Sequence, residues 1–362
     1  MEPKVRVIPQ TFLEGSPSLR PVSPLITAAN YPEMRYMGSK HRLLPWIFEI
    51  LSKLDFASAA DPFSGSGCVA YLLKCMGKRV HASDFLAFPT VLAKATVENS
   101  RSIIDGPALK RLLAKRRNTP TFIQDTFKDI FYTAADLAFL DRVSANVERL
   151  EDPYQRALAF SSLIRSSIKK QPRGVFTVGG NRYDDGRRDI RLSIEEHFLE
   201  QVQVFNTIVF DNGQRNTAVN LDVANHEVPD VDLVYLDPPY VPRADDNDYI
   251  KRYHFLEGLV TYWQGLEILQ HSKVKKLRKR FTPFAYRKTA AAAFDDLFRR
   301  FRNTTIVLSY SSNGYPDLAV LTELLQRYKS KVVVHERAHR YHFGTHSKVV
   351  RSTVQEYLIV GQ

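Results

Sequence analysis

Between Phe56 and Met76 the chain runs from a short strand-like stretch ending at Asp61, through a turn holding Ser64-Gly65-Ser66-Gly67, into a helical stretch beginning near Val69. This hand-over of strand to helix through glycines constrains the fold more than any other segment. Glycine lets the backbone double back and approach a ligand closely. The helix N-terminus behind it carries unpaired amides and the positive end of a dipole. Arg79–Asp84 then reads as a second strand and Pro89–Asn99 as another helix. Such alternation predicts a sheet flanked by helices.

The turn has two ligand readings and a plain structural one. Gly65-x-Gly67-x-x-Ala70 fits the dinucleotide fingerprint, and Asp84 lies nineteen positions after Gly65, where a carboxylate can accept from two ribose hydroxyls. Nicotinamide cofactors and S-adenosylmethionine both contain adenosine, so these residues fit either. A tight strand–helix turn with no ligand fits as well. Asp61 shifts the balance. A carboxylate four residues before the first glycine would crowd a pyrophosphate but suits the ammonium and sulfonium of S-adenosylmethionine. The turn also lacks the G-K-[ST] of a P-loop.

The second anchor is Val231–Tyr240, VDLVYLDPPY, a buried-strand pattern ending in a carboxylate, two prolines and an aromatic. Prolines fix φ and remove two backbone donors, giving a stiff turn whose carbonyls point outward. Asp237 and the Pro238 carbonyl can then accept both hydrogens of one amino group, leaving its lone pair aimed at a methyl donor. Pro239 stiffens the turn, and Tyr240 offers a face on which a planar base can stack.

Around these anchors the rhythm changes. Residues 1–30 hold five prolines and no periodicity, and read as an N-terminal arm. Residues 101–170 give long helical patterns such as Tyr154–Ile168. Residues 173–192 differ again: Val175–Val178 alternates and Gly179-Gly180-Asn181 suits a tight hairpin. Strand patterns resume at Ala218–Leu221, Asp232–Leu236, Thr305–Tyr310, Lys331–His335 and Val354–Val360. The expected organisation is an arm (1–30), a catalytic α/β domain (31–100 and 201–362) and a largely helical insert (101–200). The sequence shows neither a signal-peptide core nor an apolar run long enough for a bilayer. Two cysteines do not make a disulfide framework. A cytoplasmic protein without membrane attachment is expected.

The ordered motifs resemble the Dam-type N6-adenine DNA methyltransferases, bacterial or phage-encoded. Arg35–Lys40, RYMGSK, looks like that family's N-terminal cofactor motif, with Tyr36, Met37, Gly38 and Lys40 as its contacts. Tyr36 stands where close relatives carry tryptophan. Asp61, Pro62, Phe63, Ser64, Gly65 and Gly67 match the main cofactor loop, and Asp84-Phe85 the acid for the ribose with a neighbour beside the adenine. Asn220-Leu221-Asp222 resembles the next motif, with Asp222 near the cofactor adenine. Asp237-Pro238-Pro239-Tyr240 matches the catalytic motif, and Tyr249–Glu257 the segment after it. The resemblance implies a Rossmann-like S-adenosylmethionine-dependent methyltransferase sheet. It would be mostly parallel and seven-stranded, with Val354–Val360 as the antiparallel last strand and a target-recognition insert ahead of the catalytic turn. It also implies double-stranded DNA as partner, adenine extruded by base flipping, no metal, and a cognate restriction endonuclease as a counterpart.

The charge agrees with a polyanionic partner: 51 Lys+Arg against 39 Asp+Glu give a net +12. The first basic cluster, Arg165–Arg191, offers Lys169, Lys170, Arg173, Arg182, Arg187 and Arg188, with Asn181 at the expected hairpin tip, a ribbon able to enter a major groove. The second offers Lys275, Lys276 and Arg278 with Phe281, Phe284 and Tyr286 nearby. Arg340, Tyr341 and His346 are expected in a further basic loop near DNA.

His335-Glu336-Arg337-Ala338-His339 formally matches H-E-x-x-H, but Lys331–Val334 is strand-like and runs into it, whereas a zinc site needs a helix there. Competing readings are a methyltransferase for cytosine N4, an RNA base or a protein glutamine; a nicotinamide-dependent oxidoreductase; and a DNA-binding protein without catalysis. The oxidoreductase leaves Asp237–Tyr240 unexplained.

Overall fold

The computed structural model describes residues 23–172, 174–179, 186–224, 227–242, 249–340 and 353–362. Arg173, Asn181, Arg182, Tyr341, His346 and the first 22 residues of the expected arm lie outside the described residues. The strands are β1 (Ser58–Asp61), β2 (Arg79–Asp84), β3 (Thr217–Asn220), β4 (Leu233–Leu236), β5 (Val241–Pro242), β6 (Thr305–Ser311), β7 (Gly314–Tyr315), β8 (Val332–Arg340) and β9 (Thr353–Gly361). Seven form one sheet in the order β3-β2-β1-β4-β6-β9-β8, while β5 and β7 make a small antiparallel ribbon. All neighbours in the large sheet are parallel except β9, which runs antiparallel to β6 and β8. The expected antiparallel last strand is β9.

Period-two alternation sorts the strand residues onto two faces. Ala59, Leu233, Tyr235, Val307 and Leu358 join one apolar cluster. Ala60, Val234, Leu236, Leu308 and Ile359 join the other, capped by Phe294, Leu297 and Phe298 of helix Arg287–Arg300 and Leu321 of helix Leu318–Gln326. With both faces covered, β4 is apolar throughout, as central parallel strands are.

Strand order reverses between β1 and β4. The chain leaves β1 toward β2 on one side and β4 toward β6 on the other, and such a reversal opens a crevice at the carboxyl ends of the strands. Ala59 pairs with Leu233 and Ala60 with Val234, so Asp61 and Asp237 emerge side by side from sequence positions far apart.

Parallel neighbours β2 and β3 need a long crossover, and here it swells to include the expected insert. Helices Gly106–Leu113, Ala134–Val147, Pro153–Lys170 and Ile194–Thr207 lie within it, so the region is helical as expected. Their buried residues Leu140, Leu163 and Phe198 share one cluster with Val80, Phe88 and Leu233. Helix Ile194–Thr207 starts on a Ser193/Glu196 capping box and crosses the expected boundary at 200.

Two local expectations need correction. The alternating Val175–Val178 forms no strand: the Phe176 amide donates to the Arg252 carbonyl (2.8 Å), and its ring is buried and stacked on Phe255 (5.1 Å, 16°). Arg188–Arg191 is a helical turn, so the described part of Gly174–Ile190 is a loop pegged into an aromatic cluster and not a hairpin. Within the expected arm, Pro24–Ala29 is a helix with Ala28 buried, so this described part packs on the body. His335 and His339 sit on β8, where four residues span about 13 Å, too far to share one ion. No helix among the described residues is long and apolar enough to cross a membrane.

Candidate cofactor and substrate cleft

A cleft of about 550 Å³ lies where the strand order reverses. It gathers Tyr36, Met37, Gly38, Lys40, Asp61, Phe63, Ser64, Gly65, Asp84, Phe85, Asp237 and Pro239 from the expected set. Ser39, Ser66, Cys68, Val69, Tyr235 and Tyr249 line it as well. Pro62, Gly67, Asp222, Pro238 and Tyr240, also expected there, are not among the residues that line it.

The glycine loop is held from two sides. Asp84, at the end of β2, accepts the Gly65 amide (3.0 Å) and the Leu86 amide (2.9 Å). Burial pushes its carboxyl up to about 7, against the two amides that lower it. From beneath, Tyr31 donates to the Ser66 carbonyl (2.6 Å). Gly67 has φ +79°, and a Cβ there would stand 2.6 Å from the Tyr31 hydroxyl oxygen. Gly65 has φ +48°, and a Cβ there would stand 3.1 Å from the Tyr36 ring, a tight contact in a backbone conformation that favours glycine.

Asp61 is buried, and burial with Asp237 nearby raises its carboxyl well above the usual range. Its Oδ1 and the Ser64 Oγ have no hydrogen-bond partner in the protein. A buried carboxylate oxygen in that state demands a donor. These two atoms at a cleft wall therefore fit the ammonium end of S-adenosylmethionine. Asp222 sits close to Asp84 in charge terms, its Oδ1 accepting the Ala224 amide (3.0 Å).

Lys40 reaches across the cleft floor. Its Nζ lies 2.9 Å from Asp237 Oδ2 and donates to the Gly38 carbonyl (3.0 Å). Lys40 is 3% exposed, whereas the Asp237 side chain keeps 19%. Burial raises the Asp237 carboxyl while Lys40 pulls it back down and Glu356 adds to the rise. Tyr240 packs against Tyr310 (5.3 Å, 58°).

Sequence reasoning missed the pair that holds the N-terminal motif. Tyr249 and Tyr253 lie four positions apart on the helical segment Tyr249–Thr261, which kinks at Tyr253 (φ −120°, ψ 18°). Tyr253 stacks on Tyr36 (4.9 Å, 15°), and its hydroxyl accepts the Met37 amide (2.6 Å). Tyr249 donates to the Met37 carbonyl (3.3 Å). Further along, buried Glu257 accepts the Ala87 (2.9 Å) and Phe88 (3.2 Å) amides, fixing the start of helix Ala87–Ala93 beside Phe85. The spacing of two tyrosines and a glutamate on one helix was the available signal.

The basic clusters separate. In the first, Lys169 pairs with Asp189 (2.9 Å), and Lys170 donates to the Leu192 carbonyl (2.6 Å) beside Asp136. Arg187 donates to the Pro172 carbonyl (2.9 Å), and Arg188 pairs with Glu200. These cations tie the loop to the helices. In the second, Lys275 donates to the Gln270 carbonyl (3.4 Å) and Arg278 pairs with Glu267 (2.9 Å), both at the surface, with Lys276 half-buried between them.

Comparison with known proteins agrees with this geometry. A family model described as D12 class N6 adenine-specific DNA methyltransferase matches residues 36–310. The type II methyltransferase M2.HphI of Haemophilus parahaemolyticus is 30% identical over 331 residues, 86% of this chain and 92% of that protein. The modification methylase StsI of Streptococcus sanguinis is 26% identical over 336 residues, 83% of this chain but 47% of its own longer length. The type II methyltransferase M.CviAII of Paramecium bursaria Chlorella virus 1 is 23% identical over 346 residues, 89% of this chain and 96% of that protein.

Proposed function

The chain belongs to the D12 class of N6 adenine-specific DNA methyltransferases, and we propose that it methylates the N6 amino group of an adenine extruded from double-stranded DNA, with S-adenosylmethionine as donor. The observation that carries this reading is the pair of carboxylates, Asp61 and Asp237, delivered into one cleft by adjacent strands, the second held by Lys40.

Asp61 and Ser64 would receive the ammonium of the methionine end, Asp84 the ribose hydroxyls, and Phe85 the adenine ring. When bound, S-adenosylmethionine supplies an electrophilic methyl on a sulfonium, open to direct in-line attack. Asp237 and the Pro238 carbonyl accept the two hydrogens of the target amino group, turning its lone pair toward the donor. Asp237 then takes the proton that the alkylated nitrogen sheds. Pro239 keeps the turn rigid, and Tyr240, braced by Tyr310, supports the flipped base. Flipping itself costs a few kcal/mol, which contacts to the rest of the duplex must offset. Residues 101–200 would carry target recognition, and the second basic cluster phosphate contacts. A modification role beside a cognate endonuclease, in a bacterial or phage-encoded cytoplasmic setting, belongs to the same reading; relatives that carry the names type II methyltransferase and modification methylase support it.

The test is expression in a host lacking adenine methylation, followed by modification-sensitive sequencing. N6-methyladenine in one sequence context is the expected result; N4-methylcytosine or an unmodified genome would refute the reading. Asp237→Asn keeps the shape beside Lys40 and should bind donor and DNA while losing methyl transfer. Near-normal turnover by that variant would overturn the assigned role.

A further inference from the structure

Phe281 is, among the described residues, the one large aromatic side chain left mostly to solvent, at 62% exposure. One face of its ring stacks on Tyr286 (centroids 5.2 Å, planes 19° apart). Lys279 Nζ lies 5.0 Å over that same Tyr286 ring. The loop is pinned to the cleft on both sides of Phe281. Buried Phe284 meets Phe63 edge-on (5.4 Å, 88°). Arg280 lies 5.7 Å over the Phe85 ring and 3.7 Å from Glu257. Phe63 and Phe85 both line the cleft. A second hollow of about 270 Å³, lined in part by Phe85, Tyr249, Arg280 and Tyr286, adjoins it. Phe281 is therefore a braced ring on a loop whose neighbours Arg280 and Phe284 pack on residues of the cleft wall.

The surrounding chemistry selects the occupant. Lys273, Lys275, Lys276, Arg278, Lys279 and Arg280 precede Phe281, Arg287 and Lys288 follow Tyr286, and no acid interrupts the run. An exposed ring among cations suits a partner that offers flat apolar faces beside dense negative charge, which describes a nucleic acid strand. Extrusion of an adenine leaves base faces without a neighbour, so one is free to stack on a ring presented there.

We propose that Phe281, braced by Tyr286, stacks on a base of the target DNA beside the site vacated by the flipped adenine, while the adjoining cations neutralise phosphates. This rests on the DNA-methylating reading above. The stack adds affinity without reading sequence, because every base has a π-face.

The test uses the full chain and a duplex carrying the methylated site found by sequencing. Phe281→Ala should weaken duplex binding roughly ten- to hundredfold. Its dependence on salt concentration should be unchanged, since no charge is removed. Phe281→Trp should bind as the parent does. The affinity for S-adenosylmethionine, measured by calorimetry, should be unaltered in both variants. Melting temperatures close to the parent's establish that both are folded, and Phe281→Gln serves if the alanine variant is not. Parental DNA affinity in Phe281→Ala would overturn the proposal. So would an equal loss of S-adenosylmethionine affinity, which would make the residue a cover for the cofactor. Failure of the parent chain itself to bind any duplex would instead refute the DNA reading beneath it.

Discussion

Replacing Lys40 by Met tests whether the buried ammonium sets the ionisation of Asp237. The pair is 2.9 Å apart, and Lys40 is almost fully enclosed. Removing one partner of a buried pair costs about 3–5 kcal/mol. The lower end applies here, because the Asp237 side chain keeps 19% exposure to the cleft and can be hydrated. Burial already raises the Asp237 carboxyl, and Lys40 is the group that lowers it. Without Lys40 the carboxyl stays protonated to higher pH, and a protonated acid is a poorer acceptor for the target amino group. The acidic limb of kcat/KM for methyl transfer should therefore move to higher pH, with activity lost at neutral pH and partly regained in alkali. The stability sign follows the same shift. A folded-state carboxyl raised above its unfolded value makes stability fall as pH climbs through the interval between the two. The deficit of Lys40→Met in melting temperature should thus grow between pH 5 and pH 8. Lys40→Arg, which keeps the charge, should restore most of the acidic limb. An unmoved limb with activity uniformly reduced at every pH would refute the electrostatic role and leave Lys40 a packing residue.

The other expectations concern the walls of the cleft. Asp84 titrates near 7 because it is buried, and hydroxyl donors from a bound ribose would favour its charged form; affinity for S-adenosylmethionine should rise from pH 6 to pH 8, and Asp84→Asn should flatten that rise in a calorimetric series. Gly67→Ala meets both a positive φ, costing about 1–2 kcal/mol, and the Tyr31 hydroxyl at 2.6 Å. Tyr31→Phe alone should cost about 1 kcal/mol for the lost bond to the Ser66 carbonyl. The double variant should unfold no earlier in urea than Gly67→Ala; additive losses would show that the clash is not what makes position 67 glycine. Glu257→Gln removes one of two acceptor oxygens from the Ala87 and Phe88 amides and should cost about 1–3 kcal/mol. Because that helix start sits beside Phe85, calorimetry should show the variant losing S-adenosylmethionine affinity while gel-shift affinity for DNA stays level.

What the sequence disclosed follows from where its constraints are local. A strand, a glycine turn and a helix are adjacent in the chain, and so pattern alone groups Asp61, Gly65 and Asp84, which the structure sets in the wall of one cleft. The turn Asp237–Tyr240 is equally legible, because two prolines after a buried strand leave few conformations. The seven strands and the antiparallel last one were accessible only through resemblance, and the strand order not at all, since nothing in the period of β1 or β4 states that they are neighbours. The errors share a different cause. Val175–Val178 alternates like a strand, but alternation records only that every second side chain is buried, and Phe176 is buried as a peg among Phe131, Phe255 and His254. Likewise a run of cations predicts positive potential only if the acids that meet it are also in view. Asp189 lies inside the first cluster and is countable there, but not its pairing with Lys169 twenty positions back; Glu200, twelve from Arg188, lies outside the cluster altogether. The second cluster escapes that objection in part, because its partners Glu267 and Glu257 precede the run and leave it unbroken. Two basic segments of similar composition thus divide in the fold: the described cations of the first pair with residues of its own helices and loop, whereas the second leaves an aromatic ring exposed among its cations.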